Sequence, residues 1–190
     1  LDAVYVASPD GLHATQVIAA AQAGKHIICE KPIATSVDDA KAMVNASNTA
    51  NVVMAIAYHL RWHSGHRKLA ELISSGGLGT IRHMRVHWSF GLDNDHNWRA
   101  SDNVGRWWSL GSTGTHNLDL IRWMFGDPLQ LAAMVGKSGW LELETEDIAD
   151  IIFAYPQGMQ VSLHLDYLQR PFQRGIRVVG DKGWVQWDLV

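Results

Sequence analysis

Apolar and polar positions along the chain follow two different periods. Before residue 58, short apolar runs at residues 3–7, 26–29 and 52–57 predict buried strands. Residues 12–23 and 36–49 predict the helices between them. The first is rich in Ala and closes at Gly24, a residue free to take the positive φ of a helix C-cap. The second opens at Ser36-Val37-Asp38-Asp39, with acid in the first turn opposing the helix dipole. Strand, helix, strand, helix, strand at these spacings predicts βαβ units and a parallel sheet.

After Tyr58 the pattern changes. Residues 64–75 form an amphipathic helical pattern stopped by Gly76-Gly77 and Gly79. Residues 81–90 then alternate: Arg82, Met84, Val86, Trp88 and Phe90 share a mostly apolar face, opposite Ile81, His83, Arg85, His87 and Ser89. Residues 92–110, rich in Asp, Asn and Trp, predict a loop of the length that usually has a function. A helix over 113–125 ends at Gly126-Asp127-Pro128. Strand signals follow at 129–136, 147–155, 159–168, 173–180 and 184–188, with hairpin turns at Pro156-Gln157-Gly158 and Gly180-Asp181-Lys182-Gly183. Val161, Leu163, Leu165 and Tyr167 alternate with Gln160, Ser162, His164 and Asp166. Consecutive hairpins predict a mainly antiparallel sheet. The expected class is α/β plus α+β: a parallel βαβ piece, then a mainly antiparallel open-sheet domain with helices on one face.

Composition narrows the function. A chain of 190 residues with 47% hydrophobic and 18% charged residues suits a soluble globular protein with a real core. The net charge of −3 and the lack of a basic run argue against nucleic acid as a partner. No apolar run reaches the roughly 18 residues of a membrane span, and no signal-peptide pattern opens the chain. Cys29 is the only cysteine, so no internal disulfide forms, and the cytoplasm is the expected compartment. The chain starts at Leu1 inside a strand pattern, as a fragment of something longer would. Trp98, Trp107, Trp108, Trp123, Trp140, Trp184 and Trp187 all fall in the second half, predicting an aromatic-lined cleft there.

Three places carry candidate chemistry. Lys31, in Glu30-Lys31-Pro32, leaves a buried strand at the rim of a parallel sheet, where such folds bind ligands. Its ammonium could steady a developing alkoxide. His116 lies near a helix start opened by Gly111-Ser112-Thr113-Gly114, where the dipole disfavours its cation and leaves a neutral imidazole able to take a proton. Ser8-Pro9 and His13 form a strand-to-helix turn where a cofactor ring or amide could sit. No metal site is expected: His59, His63 and His66 lack a completing ligand, and His83 and His87 stand about 13 Å apart along one strand. The polar face bearing His83, His87, Gln160, Ser162, His164 and Asp166 does not suit an ordinary core and points to a partner or to solvent.

These pieces, in this order, resemble the Gfo/Idh/MocA oxidoreductase family. The run from Asp2 through Ser8-Pro9 to His13 resembles the family's fourth Rossmann strand and turn. Gly24-Lys25-His26-Ile27-Ile28-Cys29-Glu30-Lys31-Pro32 is similar to its lysine signature, and Tyr58-His59-Leu60-Arg61-Trp62-His63 to the exit from its nucleotide domain. Gly114-Thr115-His116-Asn117-Leu118-Asp119 and Gly180-Asp181-Lys182-Gly183 continue the likeness. The resemblance implies a partial Rossmann dinucleotide-binding domain over 1–58 and an α+β substrate-binding and oligomerisation domain over 59–190. It implies hydride transfer between NAD or NADP and a sugar, inositol or related polyol, with Lys31 and His116 catalytic. Ser8, Pro9, Leu12, His13, Glu30 and Lys31 would border the nicotinamide, and Tyr58, Trp98, Arg99, Trp107, Ser112 and Asn117 would face substrate. The open sheet would meet its copy in a homodimer or homotetramer.

Two departures stand out. The family usually carries Asp four residues before the catalytic His; here that residue is Ser112, and Tyr58 or Asp119 could compensate. The Gly-rich phosphate loop does not occur in these residues and would precede Leu1, so this stretch alone should bind dinucleotide poorly. A non-catalytic association module and a sugar-binding regulator are the alternatives.

Overall fold

The two periods become two sheets in the computed structural model, which describes residues 1–89, 91, 92 and 109–188. The first sheet holds β1 (Ala3–Val6), β2 (His26–Cys29) and β3 (Met54–Ile56), all parallel and in that order. α1 (His13–Gln22) and α2 (Val37–Thr49) build its core with Val6, Val17, Ala21, Ile27, Cys29 and Met43. The strands are not buried on both faces as their apolar runs predict: Tyr5 and Ile28, paired side by side, are 59% and 49% exposed. Successive right-handed crossovers in one direction put both helices on the same face, so the other is bare. Gly24 takes φ +67° just past α1. Ser36 caps α2, its hydroxyl accepting from the Asp39 amide (3.1 Å) and donating to the Asp39 carboxylate (2.8 Å).

The second sheet contains β4 (Ile81–Ser89), β5 (Gln130–Gly136), β6 (Ile148–Ala154), β7 (Gln160–Asp166), β8 (Gln173–Gly180) and β9 (Gly183–Asp188). Their order is β5-β6-β7-β4-β8-β9, mainly antiparallel. The hairpin series breaks once. β4, first in sequence, lies between β7 and β8 and runs parallel to β7. The chain after β7 therefore passes β4 before it pairs again. Parallel neighbours need no turn between them, so no local signal announces this pairing.

α3 (Ser64–Ser74) and α4 (Thr115–Phe125) cover one face of this sheet. Leu69, Leu120 and Ile121 join Met84, Val86, Trp88, Ile151, Phe153, Val161, Leu163, Leu165, Ile176 and Val178 in the core. The alternation in residues 81–89 sorts as the pattern predicts, with Met84, Val86 and Trp88 buried and Arg85 exposed. Phe90 lies outside the described residues. The fourth helix starts later than residue 113, because Ser109–Gly114 winds into a π-helical segment first. Gly114 lets Leu165 pack close there: a Cβ would meet the Leu165 side chain at 2.6 Å and the Ser109 carbonyl at 3.1 Å, so a larger residue would force both to shift. Among the described residues no helix is long and apolar enough to cross a membrane.

Leu163, 1% exposed in the middle of the core, and the Ser36 cap predict different costs. Leu163→Ala should lower unfolding free energy by about 2–5 kcal/mol and Ser36→Ala by about 1 kcal/mol. Denaturant titration of both variants measures the two costs, and equal losses would contradict the placement of Leu163.

Candidate active site

The carboxyl ends of β1 and β2 lie side by side, where open parallel sheets take their ligands. Ala7-Ser8-Pro9 leaves one strand and Glu30-Lys31-Pro32 leaves the other. The Glu30 amide donates to the Val6 carbonyl at 2.8 Å. His13 ties the loops together, with Nδ1 2.8 Å from the Pro32 carbonyl oxygen and Nε2 3.1 Å from the Ser8 carbonyl oxygen. Its ring is fully buried and offers no face to a cofactor, so the contact expected of His13 becomes a positioning role. The Ser8 hydroxyl donates to the Gln16 side chain at 2.8 Å. Pro9 and Leu12 stay exposed at the same rim, leaving apolar surface beside a polar turn.

Glu30 accepts from the Tyr5 hydroxyl and from the Lys31 amide (3.2 Å). Burial alone would raise its pKa. The Tyr5 and Lys31 hydrogen bonds and the Lys31 and His59 charges outweigh that and hold it below the usual glutamate value.

Lys31 reaches across to the second sheet's side of the molecule. Its Nζ donates to the backbone carbonyl of Ser112 at 3.0 Å. Ser112 lies in the π-helical segment, a geometry common at functional sites. That segment is braced from behind. The Ser109 hydroxyl and the Leu110 amide both donate to Glu146 Oε1 at 2.9 Å, and Glu146 is itself buried. The Thr113 and Tyr167 hydroxyls are 2.7 Å apart.

His116 follows, in the first turn of α4, and is 9% exposed. It packs edge-on against His59 (ring centroids 4.6 Å apart) and Tyr58 (6.2 Å). The Tyr58 hydroxyl is 3.2 Å from the Thr115 hydroxyl. Burial first, then the charges of Lys31 and His59, push the His116 pKa down to about 4 against the opposing pull of Glu30. The imidazole is therefore neutral at neutral pH, and its Nδ1 has no hydrogen-bond partner among the described residues. A buried polar atom of this kind needs a partner, which a bound hydroxyl would supply.

Other expected site residues fare differently. Asn117 is fully buried; its amide donates to the Thr113 carbonyl (3.3 Å), which braces the segment, and its Oδ1 has no hydrogen-bond partner among the described residues. Asp119 does not stand in for the acid missing at 112. Its carboxylate is held by Arg61, with Nε–Oδ2 2.7 Å and Nη2–Oδ1 2.5 Å. Trp98, Arg99, Trp107 and Trp108 lie outside the described residues. The remaining second-half tryptophans do not form one cleft. Trp123 faces Arg61, Trp184 lies under Arg177, Trp187 packs on His63 and His66, and Trp140 is 78% exposed.

Two features went unseen in the sequence. Glu146 sits in an irregular acidic stretch with no periodic signal. The second is a grouping of His87, His164 and Asp166, whose ligand atoms lie within 4.8 Å of one another. His87 and His164 are register partners on β4 and β7, a pairing that spacing along one strand does not reveal.

Comparison with known proteins gives the site its context. Residues 1–58 match the NAD-binding Rossmann-fold model of the oxidoreductase family GFO/IDH/MocA, and residues 66–186 match the GFO/IDH/MocA C-terminal domain. The chain is 30% identical over 185 residues to 1,5-anhydro-D-fructose reductase of Ensifer adhaerens, covering 96% of this chain and 56% of that protein. It overlays aldose-aldose oxidoreductase from Caulobacter crescentus, solved with glycerol, at TM-score 0.91 and 30% identity, covering 99% of this chain and 56% of that one. It overlays an inositol dehydrogenase homologue from Azotobacter vinelandii, solved with NAD+, at TM-score 0.90 and 25% identity, covering 99% and 52%. The chain thus spans slightly more than half the length of these relatives. With both of its sheets matched to consecutive parts of one architecture, the chain belongs to the GFO/IDH/MocA family of oxidoreductases.

Proposed function

We propose that this chain carries the catalytic centre of a dehydrogenase that transfers hydride between a nicotinamide dinucleotide and a secondary hydroxyl of a sugar, inositol or related polyol. The observation that carries the reading is the bond from Lys31 Nζ to the Ser112 carbonyl, which sets a cation beside a neutral, buried His116. NAD or NADP, when bound, supplies the hydride acceptor or donor. Residues 1–58 would hold its nicotinamide end, and residues 59–190 the substrate. The apolar surface of Pro9 and Leu12 beside the Ser8 hydroxyl suits a flat ring bearing an amide, and Glu30 and Lys31 close the same rim. In the oxidative direction His116 takes the hydroxyl proton at its imidazole, and the Lys31 ammonium stabilises the developing oxyanion. Tyr58 and Ser112 line the approach. The open face of the six-stranded sheet serves self-association, with Met134 (81% exposed), Ile152 (54%) and Trp184 (61%) exposed among its polar residues.

Lys31→Ala should lower kcat by about 10²–10³ in a screen of sugars and inositols with either dinucleotide. An unchanged kcat would overturn the assignment.

The His116 environment gives a pH prediction. A group whose pKa is depressed stays deprotonated down to that value, so kcat/KM for oxidation should hold through the ordinary histidine range and fall only towards about pH 4. Ser112→Asp places a carboxylate where it offsets the Lys31 charge, so the acidic limb should move upward in that variant. A wild-type limb at the ordinary histidine value would contradict the buried, cation-flanked His116.

Ile152→Asp, on the sheet's open face, should convert the assembled protein to monomer in sedimentation velocity. An unchanged sedimentation coefficient would exclude this face.

A further inference from the structure

The open face of the six-stranded sheet holds a cluster that the dehydrogenase reading does not use. His164, on β7, lies between two carboxylates: its Nδ1 is 2.8 Å from Asp150 Oδ1 on β6, and its Nε2 is 2.9 Å from Asp166 Oδ2. The His87 ring, on β4, lies against that of His164, with centroids 4.9 Å apart and planes at 24°. Asp166 is 5% exposed, and its other oxygen is already held by the amides of Leu168 (2.8 Å) and Gln169 (3.0 Å), so Oδ2 is left aimed at His164.

A neutral His164 can donate to only one of these two carboxylates. With Nδ1 donating to Asp150, the contact between Nε2 and Asp166 is filled by a cation, either a proton or a metal ion. The Asp150–His164 contact is the carboxylate–histidine pair that fixes the tautomer of metal-bound imidazoles. His87 supplies a third donor in range, and one ligand atom from each of His87, His164 and Asp166 lies within 4.8 Å of the others. The two carboxylates carry two negative charges, which a dication balances. Two nitrogens and one oxygen suit a borderline ion such as Zn²⁺.

The geometry points to a divalent-cation site of the zinc type on this sheet face, ligated by His87, His164 and Asp166, with Asp150 orienting His164. Tetrahedral bonds of about 2.0–2.2 Å place donors about 3.4 Å apart, so the 2.9 Å contact between His164 and Asp166 opens slightly while a torsion at His87 brings its nitrogen to the ion. Three protein ligands leave one position for water or an outside donor. The ligands stand on adjacent strands in fixed register, so the backbone does not need to move to form the site. Gln169 and Ser89, each 3.2 Å from His87 Nε2, set the orientation of that ring.

The test uses untagged protein stripped with chelator and titrated with Zn²⁺ by calorimetry, alongside His87→Ala and Asp150→Asn. Both substituted residues lie away from the core, and circular dichroism checks that the variants fold. One ion per chain is expected. His87→Ala removes a ligand and Asp150→Asn removes the carboxylate that orients one, and each should weaken binding by about tenfold or more. Long-range ¹H–¹⁵N spectra of the wild type at saturating Zn²⁺ should show His164 Nε2 without a proton and Nδ1 with one. Absence of stoichiometric binding, binding unchanged in both variants, or a proton on His164 Nε2 at saturating Zn²⁺ would each overturn the proposal and leave a proton as the bridging cation. None of these readouts depends on turnover, so the result stands apart from the dehydrogenase reading.

Discussion

The site depends on one hydrogen bond between two sheets. Lys31 leaves the parallel sheet and donates its ammonium to the Ser112 carbonyl in the segment that leads into α4. Bonds to charged groups contribute roughly 1.5–3 kcal/mol, enough to fix one lysine rotamer against its conformational entropy. A carbonyl oxygen has two lone pairs, so Ser112 can serve the lysine and still belong to its helical segment. Everything behind that segment keeps the carbonyl in place. Glu146 grips Ser109 and Leu110, the Tyr167 hydroxyl lies against that of Thr113, and Gly114 allows Leu165 to close in.

A carbonyl orients an ammonium without neutralising it, and this separates the present site from one with a carboxylate at the same position. The Lys31 charge acts on its neighbours. It is the largest contributor after burial to the low His116 pKa, and it helps Glu30 stay ionised. The two effects have the same sign of cause and opposite uses. His116 is held neutral, and the ionised Glu30 places a negative charge nearby. The result is an imidazole that is neutral but weakly basic.

Much of this was legible because it is local. The lysine at a strand end and the Ser36 cap each follow from residues within one element or its immediate flanks. So does the alternation of Met84, Val86 and Trp88, and the structure bears each of these out. What was not legible depends on partners far apart in sequence. Nothing near residue 146 says that its carboxylate will meet residue 109. Nothing near His13 says that both ring nitrogens will be taken by loop carbonyls. Asp119 looked available until the fold brought Arg61 to it. The aromatic cleft failed for the same reason: shared position in the second half of a chain does not imply a shared face, and the described tryptophans scatter over several.

The parallel pairing of β4 with β7 has the widest consequences. It puts His87 beside His164 on the open face, and on the other face it sets Trp88 beside Leu165 in the core. The end of β7 also divides its work between faces. Asp166 faces His164, while Tyr167, the next residue, turns inward, where its hydroxyl meets that of Thr113 in the π-helical segment. Because side chains alternate with a period of two, a slip of one residue would send Tyr167 outward and Asp166 into the core. The apolar row Val161, Leu163 and Leu165 forbids that slip, since it would expose all three. Core burial in β7 therefore sets the register that places both the open-face cluster and the brace behind the Lys31 acceptor.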